Sequence, residues 1–332
     1  MKTLLLGSTG MIGANILKQL LEAGQKPDLL VRNEDRARKV LTEMGLDLSG
    51  CTLHIGDVTD PASLQEAMQG VELLYHAAGL PEQWFADPRI FDRVNHQGTR
   101  NVLEAAKAAS VRRVVYTSTI DVFQADPGQK YDESVLDPEL RGTYYERSKQ
   151  KADEAAVQAL KQGMDIVFTH PSGLYGPGPI TSPGSNNFIA DLINGKVPML
   201  LPGGFPIVFS EDCARGHILA AEKASAGSRY ILSDSYFSLK DLAAEVKTLR
   251  PELKVPGIMP VWFARLFSAA GEAKARLTRR SPMLPAGQLY FLLWQAIPVA
   301  DRAKSDLGWQ VTRTRKGLEK TIAFLKKNGK IR

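Results

Sequence analysis

Three glycines stand three residues apart near the start of the chain, Gly7, Gly10 and Gly13 in "LLLGSTGMIGANIL". The apolar run before them reads as a strand, and the pattern after them as an amphipathic helix. Small residues at such a turn let backbone approach an anionic group at the helix N-terminus, where free N–H groups and the helix dipole favour negative charge. A strand, a glycine turn and a helix in this order open a nucleotide-binding unit built to hold a pyrophosphate. Gly7, Thr9, Gly10, Met11, Ile12 and Gly13 are therefore candidate cofactor-binding residues.

The rest of the first half keeps the same rhythm. Short apolar runs at 2–6, 28–31, 52–55, 72–76, 113–117 and 165–169 alternate with helical patterns at 11–24, 34–44, 61–69, 89–109 and 145–162. That alternation predicts an α/β fold, a doubly wound Rossmann parallel sheet, over residues 1–170. After residue 170 "HPSGLYGPGPITSPGS" is dense in proline and glycine and reads as a long loop. Helical patterns follow at 186–195, 211–224, 238–249, 260–277, 285–296 and 312–327, with a strand near 229–232. Residues 171–332 are expected to form a smaller, mostly helical substrate-binding region, with about 206–235 rejoining the main sheet.

Composition narrows the function classes. The 332 residues carry a net charge of +6, and no basic stripe interleaved with aromatics appears, which argues against nucleic acid as a partner. Cys51 and Cys213 are far apart and lack metal-ligand spacing, so neither a disulfide scaffold nor a metal site is expected, and a cytoplasmic location fits. The apolar run Leu4 to Leu6 is too short for a secretion signal, and no stretch reaches the length of a membrane span, so no stable membrane insertion is expected.

The end of the second strand bears on which dinucleotide binds. An acidic residue there would hydrogen-bond the adenosine ribose and repel a 2′-phosphate. "LLVRNEDRAR" instead places Arg32 there, which favours NADP(H), with NAD(H) as the alternative. Arg36, one turn on, is equally a solvated surface group.

"GTYYERSK" places Tyr145 four residues before Lys149, so the two share a helix face. A neighbouring ammonium is expected to favour the phenolate and lower the tyrosine's pKa. Lys149 can also hold the nicotinamide ribose. The phenol then gives a proton to a carbonyl oxygen as hydride reaches the carbon, or does the reverse.

The G-x-x-G-x-x-G spacing and the Tyr-x-x-x-Lys pair resemble the extended short-chain dehydrogenase/reductase superfamily. "TSTIDV" resembles its 3β-hydroxysteroid dehydrogenase branch, and matching Val122 to the branch's valine makes Thr119 the third catalytic residue, with Ser118 as the alternative. The same resemblance places Asp57 and Val58 of "GDVTD" at the adenine, although Asp57 could simply cap the next helix. It places Ala77 and Ala78 of "LLYHAAGL" along the cofactor, and Pro171 and Ser172 of "THPSGLYGPG" near the nicotinamide, where His170 replaces the usual arginine. His76 reads as structural, and Asn95 of "VNHQGTRNVLEAA" as a residue that fixes backbone near the site. "SEDCARGHILAAEK" and "AKSDLGWQ" are further family markers, so the resemblance runs almost the whole chain.

Within that superfamily the dehydratase pattern Thr-Asp-Glu becomes Thr119-Ile120-Asp121, which removes an acid that elimination needs. The expectation is an NADPH-dependent oxidoreductase acting on a small-molecule carbonyl substrate, closest to dihydroflavonol reductase-like and 3β-hydroxysteroid dehydrogenase-like members. The alternatives are an NAD-dependent sugar-nucleotide epimerase and a non-catalytic NADP-sensing regulator. Trp84, Phe85 and the aromatics of "VWFARLFSAAGEAKARL" and "GQLYFLLWQAI" read as second core, or as the wall of an apolar pocket. Lys274, Arg276, Arg279 and Arg280 read as solvated, with a membrane surface or a diphosphate as the alternative. The resemblance also implies a homodimer through the helices at 89–109 and 145–162.

Overall fold

The computed structural model describes residues 1–182 and 184–332. The first half runs β1 (Thr3–Leu6), α1 (Met11–Glu22), β2 (Asp28–Val31), α2 (Glu34–Glu43), β3 (Leu53–Ile55), α3 (Pro61–Ala67) and β4 (Leu73–His76). It continues through α4 (Arg89–Phe91), a π-helical stretch (Asp92–Gln97), α5 (Gly98–Ala108) and β5 (Arg113–Thr117). The consecutive leucines of β1 are all buried because the sheet is covered on both faces: Leu4 and Leu6 pack on one side with Leu74 and Val114, and Leu5 on the other with Leu29 and Tyr75.

The second half comprises β6 (Lys130–Tyr131), α6 (Tyr144–Lys161), β7 (Ile166–Pro171), β8 (Gly173–Tyr175), α7 (Asn186–Ile193), β9 (Gly204–Phe209), α8 (Ser210–Lys223), β10 (Arg229–Leu232) and β11 (Ser235–Ser238). It ends with α9 (Leu239–Leu249), α10 (Val261–Thr278), α11 (Ala286–Trp294), β12 (Ile297–Pro298), α12 (Asp301–Leu307) and α13 (Thr314–Lys327).

Seven parallel strands form the main sheet in the order β10-β7-β5-β4-β1-β2-β3. The order reverses between β1 and β4, and ligands of such sheets lie outside the carboxyl ends of the strands at that reversal. The glycine turn leaves β1 there, and Ala77 and Ala78 leave β4 beside it. This is the doubly wound Rossmann-like fold, followed by a helical C-terminal region.

Three local features differ from the sequence expectation. The segment after residue 170 is not wholly loop: His170 and Pro171 complete β7, and Gly173–Tyr175 form β8, while Pro183 lies outside the described residues. Gly173 lets β8 lie close against β9, since a Cβ there would lie 2.9 Å from the Phe205 ring. Secondly, the 206–235 stretch divides. β10 pairs with β7 in the main sheet, whereas β9 joins β8 and β11 in a separate three-stranded sheet. Thirdly, the helix expected at 89–109 contains the π-helical turn at 92–97, which holds Asn95.

Candidate active site

The glycine turn is shaped by backbone crowding on one side and open space on the other. Gly7 has φ +83°, and a Cβ on it would lie 2.5 Å from the Ala77 carbonyl oxygen, so only glycine suits this crossing beneath β4. A Cβ on Gly13 would lie 2.2 Å from the Gly7 carbonyl oxygen, which fixes how closely α1 sits on β1. Gly10 has no neighbour closer than 3.3 Å, and it begins α1 with no side-chain cap. The free N–H groups of that first turn are left for an anion, and the buried Ser8 hydroxyl nearby has no protein partner. These residues fit a dinucleotide pyrophosphate. Met11 is buried and packs toward Gly178, so its side chain faces the protein, whereas Ile12 is half-buried.

Beyond β2 the charges sort themselves. Asn33 caps α2 by accepting from the Arg36 N–H at 2.8 Å, and Arg38 pairs with Glu34 at 2.7 Å. The nearest acid on the helix is thereby occupied. Arg32 and Arg36 are exposed and make no ion pair among the described residues. Asp57 makes its own turn rather than capping a helix: its Oδ1 accepts from the Thr59 N–H and hydroxyl, while Asp60 caps α3. Val58 is buried against Gly98.

At the carboxyl end of β5 three consecutive hydroxyls take three different paths. Thr117 meets the buried His217, at 3.1 Å. Ser118 donates to Asp153 at 2.6 Å, and Asp153 is held by Arg229 at 2.7 Å, so the Ser118 hydroxyl is committed to a buried ion pair. Thr119 donates to Asp121 Oδ2 at 2.7 Å and stands beside the Tyr145 phenol. The geometry therefore brings Thr119, and not Ser118, to Tyr145.

Tyr145 and Lys149 lie on α6, whose start is set by Thr143 accepting from the Glu146 N–H at 3.1 Å. The neighbouring Tyr144 is 57% exposed and lies beneath Arg147, which separates the two tyrosines of the motif. Burial pushes the Tyr145 phenol well above its ordinary pKa, and the Asp121 carboxylate adds to that. This is opposite to the lowering expected from the lysine. The buried Lys149 ammonium instead donates to the Thr117 carbonyl at 2.9 Å and lies 5.2 Å over the Tyr116 ring. Its own burial pulls it down to about 8, against Asp153 and Asp121, which raise it.

Two carboxyls beside these groups were not singled out by sequence reasoning. Asp121 and Glu146 are buried, at 4% and 2% exposure. Desolvation raises both, with Glu146 pushed up to about 7. Glu146 accepts from the Thr143 hydroxyl at 2.7 Å, and Asp121 Oδ1 has no partner. Arg141, also buried, moderates both; it donates to the Phe123 carbonyl, pairs with Asp137 at 3.2 Å and covers Trp294. The only sequence signal was adjacency: Asp121 stands two residues after Thr119, and Glu146 follows Tyr145.

The supporting residues have specific tasks. Asn95 binds the Leu80 N–H at 2.7 Å and the Ser148 hydroxyl at 3.0 Å, which ties the chain after β4 to α6. His76 meets the Thr99 hydroxyl at 3.1 Å and is held neutral by burial, with a pKa of about 3. His170 is likewise lowered to about 3 by burial, then by Arg229. As a neutral ring it donates from Nδ1 to the Thr119 carbonyl and accepts at Nε2 from Arg229. The histidine that replaces the expected arginine thus holds the backbone of Thr119. Pro171 pairs with Leu232 at the end of β7, and the Ser172 N–H donates to the Leu232 carbonyl.

A family model described as "NAD dependent epimerase/dehydratase family" matches residues 3–232. The chain belongs to this family. A Synechocystis sp. protein named for dihydroflavonol 4-reduction is 29% identical over 333 residues, covering 98% of this chain and 95% of its own. Sterol demethylase protein B of Methylococcus capsulatus is 27% identical over the full length of both chains. The crystal structure of gox2253 superposes with a TM-score of 0.84 at 27% identity, covering 100% of this chain and 99% of that one. The chain is accordingly an extended short-chain dehydrogenase/reductase, an enzyme of the NAD(P)-dependent type that acts on CH–OH and C=O groups. No helix among the described residues is long and apolar enough to cross a membrane.

Proposed function

We propose that the protein is an NADPH-dependent reductase of a small, apolar ketone or aldehyde, also able to run in reverse, with residues 1–170 holding the cofactor and 171–332 the substrate. The observation that carries this reading is the grouping of Tyr145, Thr119 and the buried Lys149 at the carboxyl end of β5, with Thr119 donating to Asp121 and Lys149 to the Thr117 carbonyl. When bound, the nicotinamide supplies the hydride. Tyr145, kept protonated by burial, is suited to donate its proton to a carbonyl oxygen. Thr119 orients that oxygen by turning its hydroxyl from Asp121, and Lys149, one helical turn from Tyr145, favours the phenolate left behind. Main-chain groups at Ala77, Ala78, Pro171 and Ser172 border the cofactor in this reading, with Val58 and Asp57 toward the adenine.

Two features support the finer points. The unpaired Arg32 after β2 favours a 2′-phosphate, hence NADPH. The half-buried Phe85 packs on the buried Phe91, 5.1 Å between ring centres, and Phe91 lies 6.4 Å from Tyr145, so the phenol has an apolar surrounding that suits an apolar substrate. A homodimer through α5 and α6 completes the proposal.

NADPH oxidation by wild type and Tyr145→Phe, against apolar cyclic ketones, β-keto acids, aromatic aldehydes and flavonoid ketones, tests the reading. Turnover of a carbonyl compound that falls by about 10²- to 10⁴-fold in the variant is expected. Silence across the panel, with NAD retained by the purified protein and turnover of a sugar nucleotide, would replace it with the epimerase.

A further inference from the structure

The helix α10 is built inside out. Its buried line consists of small residues, Ala264, Ser268 and Ala275, with the half-buried Gly271 between them. Its solvent face carries the bulky groups: Trp262 is 69% exposed, Leu266 60% and Leu277 88%. Ala269 and Ala273, both exposed, continue the line between Leu266 and Leu277 at helical spacing. Phe263 and Phe267 flank it, each 39% exposed, and Met283 follows just beyond the helix at 88%. A helix of a water-soluble protein normally turns its apolar stripe inward. Scattered exposed apolar residues are ordinary, whereas a contiguous run of this kind marks an interaction surface.

Charge identifies the occupant. Arg265, Lys274, Arg276, Arg279 and Arg280 are exposed and make no ion pair among the described residues. The one acid of the helix, Glu272, is engaged with the Ala286 N–H at 3.0 Å and so caps α11. A second copy meeting this face through a two-fold axis would bring five cations against five. An anionic lipid surface instead satisfies both the cations and the aromatic and aliphatic side chains. We propose that α10 docks the protein on anionic bilayers, lying in the interface plane with Trp262, Leu266 and Leu277 among the acyl chains. This surface is joined to the candidate active site, because α11 packs on α10 and begins against Gln83 and Thr143: a Cβ on Gly287 would lie 2.8 Å from the Gln83 side chain and 3.3 Å from that of Thr143. Docking itself does not depend on the reaction.

Sedimentation of the full chain with phosphatidylcholine vesicles, with and without phosphatidylglycerol, tests the proposal. Binding to the anionic vesicles is expected, weakened by salt, with a blue shift of tryptophan emission that Trp262→Phe abolishes. Neutralising Arg276, Arg279 and Arg280 together to Gln should weaken partitioning on the order of a hundred-fold, at roughly five-fold per charge. Trp262→Ser with Leu266→Ser should also release the protein, while its thermal unfolding stays at the wild-type position because both side chains are exposed. Absence of binding to anionic vesicles would overturn the proposal, as would binding that ignores lipid charge and survives the double variant. A dimer that Leu266→Glu converts to monomer would assign the face to a second copy instead.

Discussion

Replacing Glu146 by Gln separates burial from charge beside Tyr145. The glutamine keeps the volume and can still accept from the Thr143 hydroxyl, which now donates to Glu146 at 2.7 Å. In the folded state burial and the Asp121 carboxylate raise Glu146 to about 7, against an ordinary value of 4.5. Below about pH 4.5 both folded and unfolded chains hold the proton, and the group costs nothing. As pH rises from there toward 7 the unfolded chain ionises first, so stability falls. Above pH 7 the penalty is complete. The gap between 4.5 and about 7, at about 1.4 kcal/mol per pH unit, corresponds to roughly 3–4 kcal/mol. Asp153, Asp28 and Glu211 have lowered values and act in the opposite sense, but both proteins contain them and they cancel in the difference. Urea unfolding of wild type and variant at about pH 5 and about pH 8, compared at equal m-values, measures the effect. The stability of Glu146→Gln relative to wild type should improve by about 2–3 kcal/mol between the two conditions. Stabilities that run parallel to within about 0.5 kcal/mol would show that Glu146 ionises normally and would refute the argument.

Other perturbations divide the site into parts. Ser118→Ala removes the donor to Asp153 and is expected to lose about 1–2 kcal/mol in urea unfolding while turnover survives. Thr119→Val should do the reverse, lowering turnover by about 10²-fold, because its hydroxyl is the one at Tyr145. Arg32→Ala should raise the KM for NADPH roughly ten-fold or more and leave that for NADH nearly unchanged, measured by steady-state kinetics with both cofactors. Gly13→Ala places a methyl group 2.2 Å from the Gly7 carbonyl oxygen; it should destabilise the fold by about 1–3 kcal/mol and weaken dinucleotide binding in a fluorescence titration.

Much of this molecule is written locally. The glycine turn, the apolar runs and the helical periodicities are short-range patterns, so the strand–helix alternation and the parallel sheet follow from the sequence without knowledge of any contact. The Tyr145–Lys149 spacing is likewise a property of one helix. Other decisions needed the tertiary structure, because they depend on what lies across a gap of many residues. The resemblance ranks Thr119 above Ser118, but only the fold shows where each hydroxyl goes: Ser118 to Asp153, 35 residues away and held by Arg229, and Thr119 to Asp121 beside Tyr145. Spacing alone points to a lowered Tyr145 pKa, whereas burial and the Asp121 carboxylate raise it, and the Lys149 ammonium is held by the Thr117 carbonyl. β8, β9 and β11 carry no repeating pattern of their own, because their pairing is set by partners distant in the chain. The outward apolar face of α10 also required the fold. Periodicity marks an apolar stripe, but only packing decides whether that stripe meets the core or the solvent.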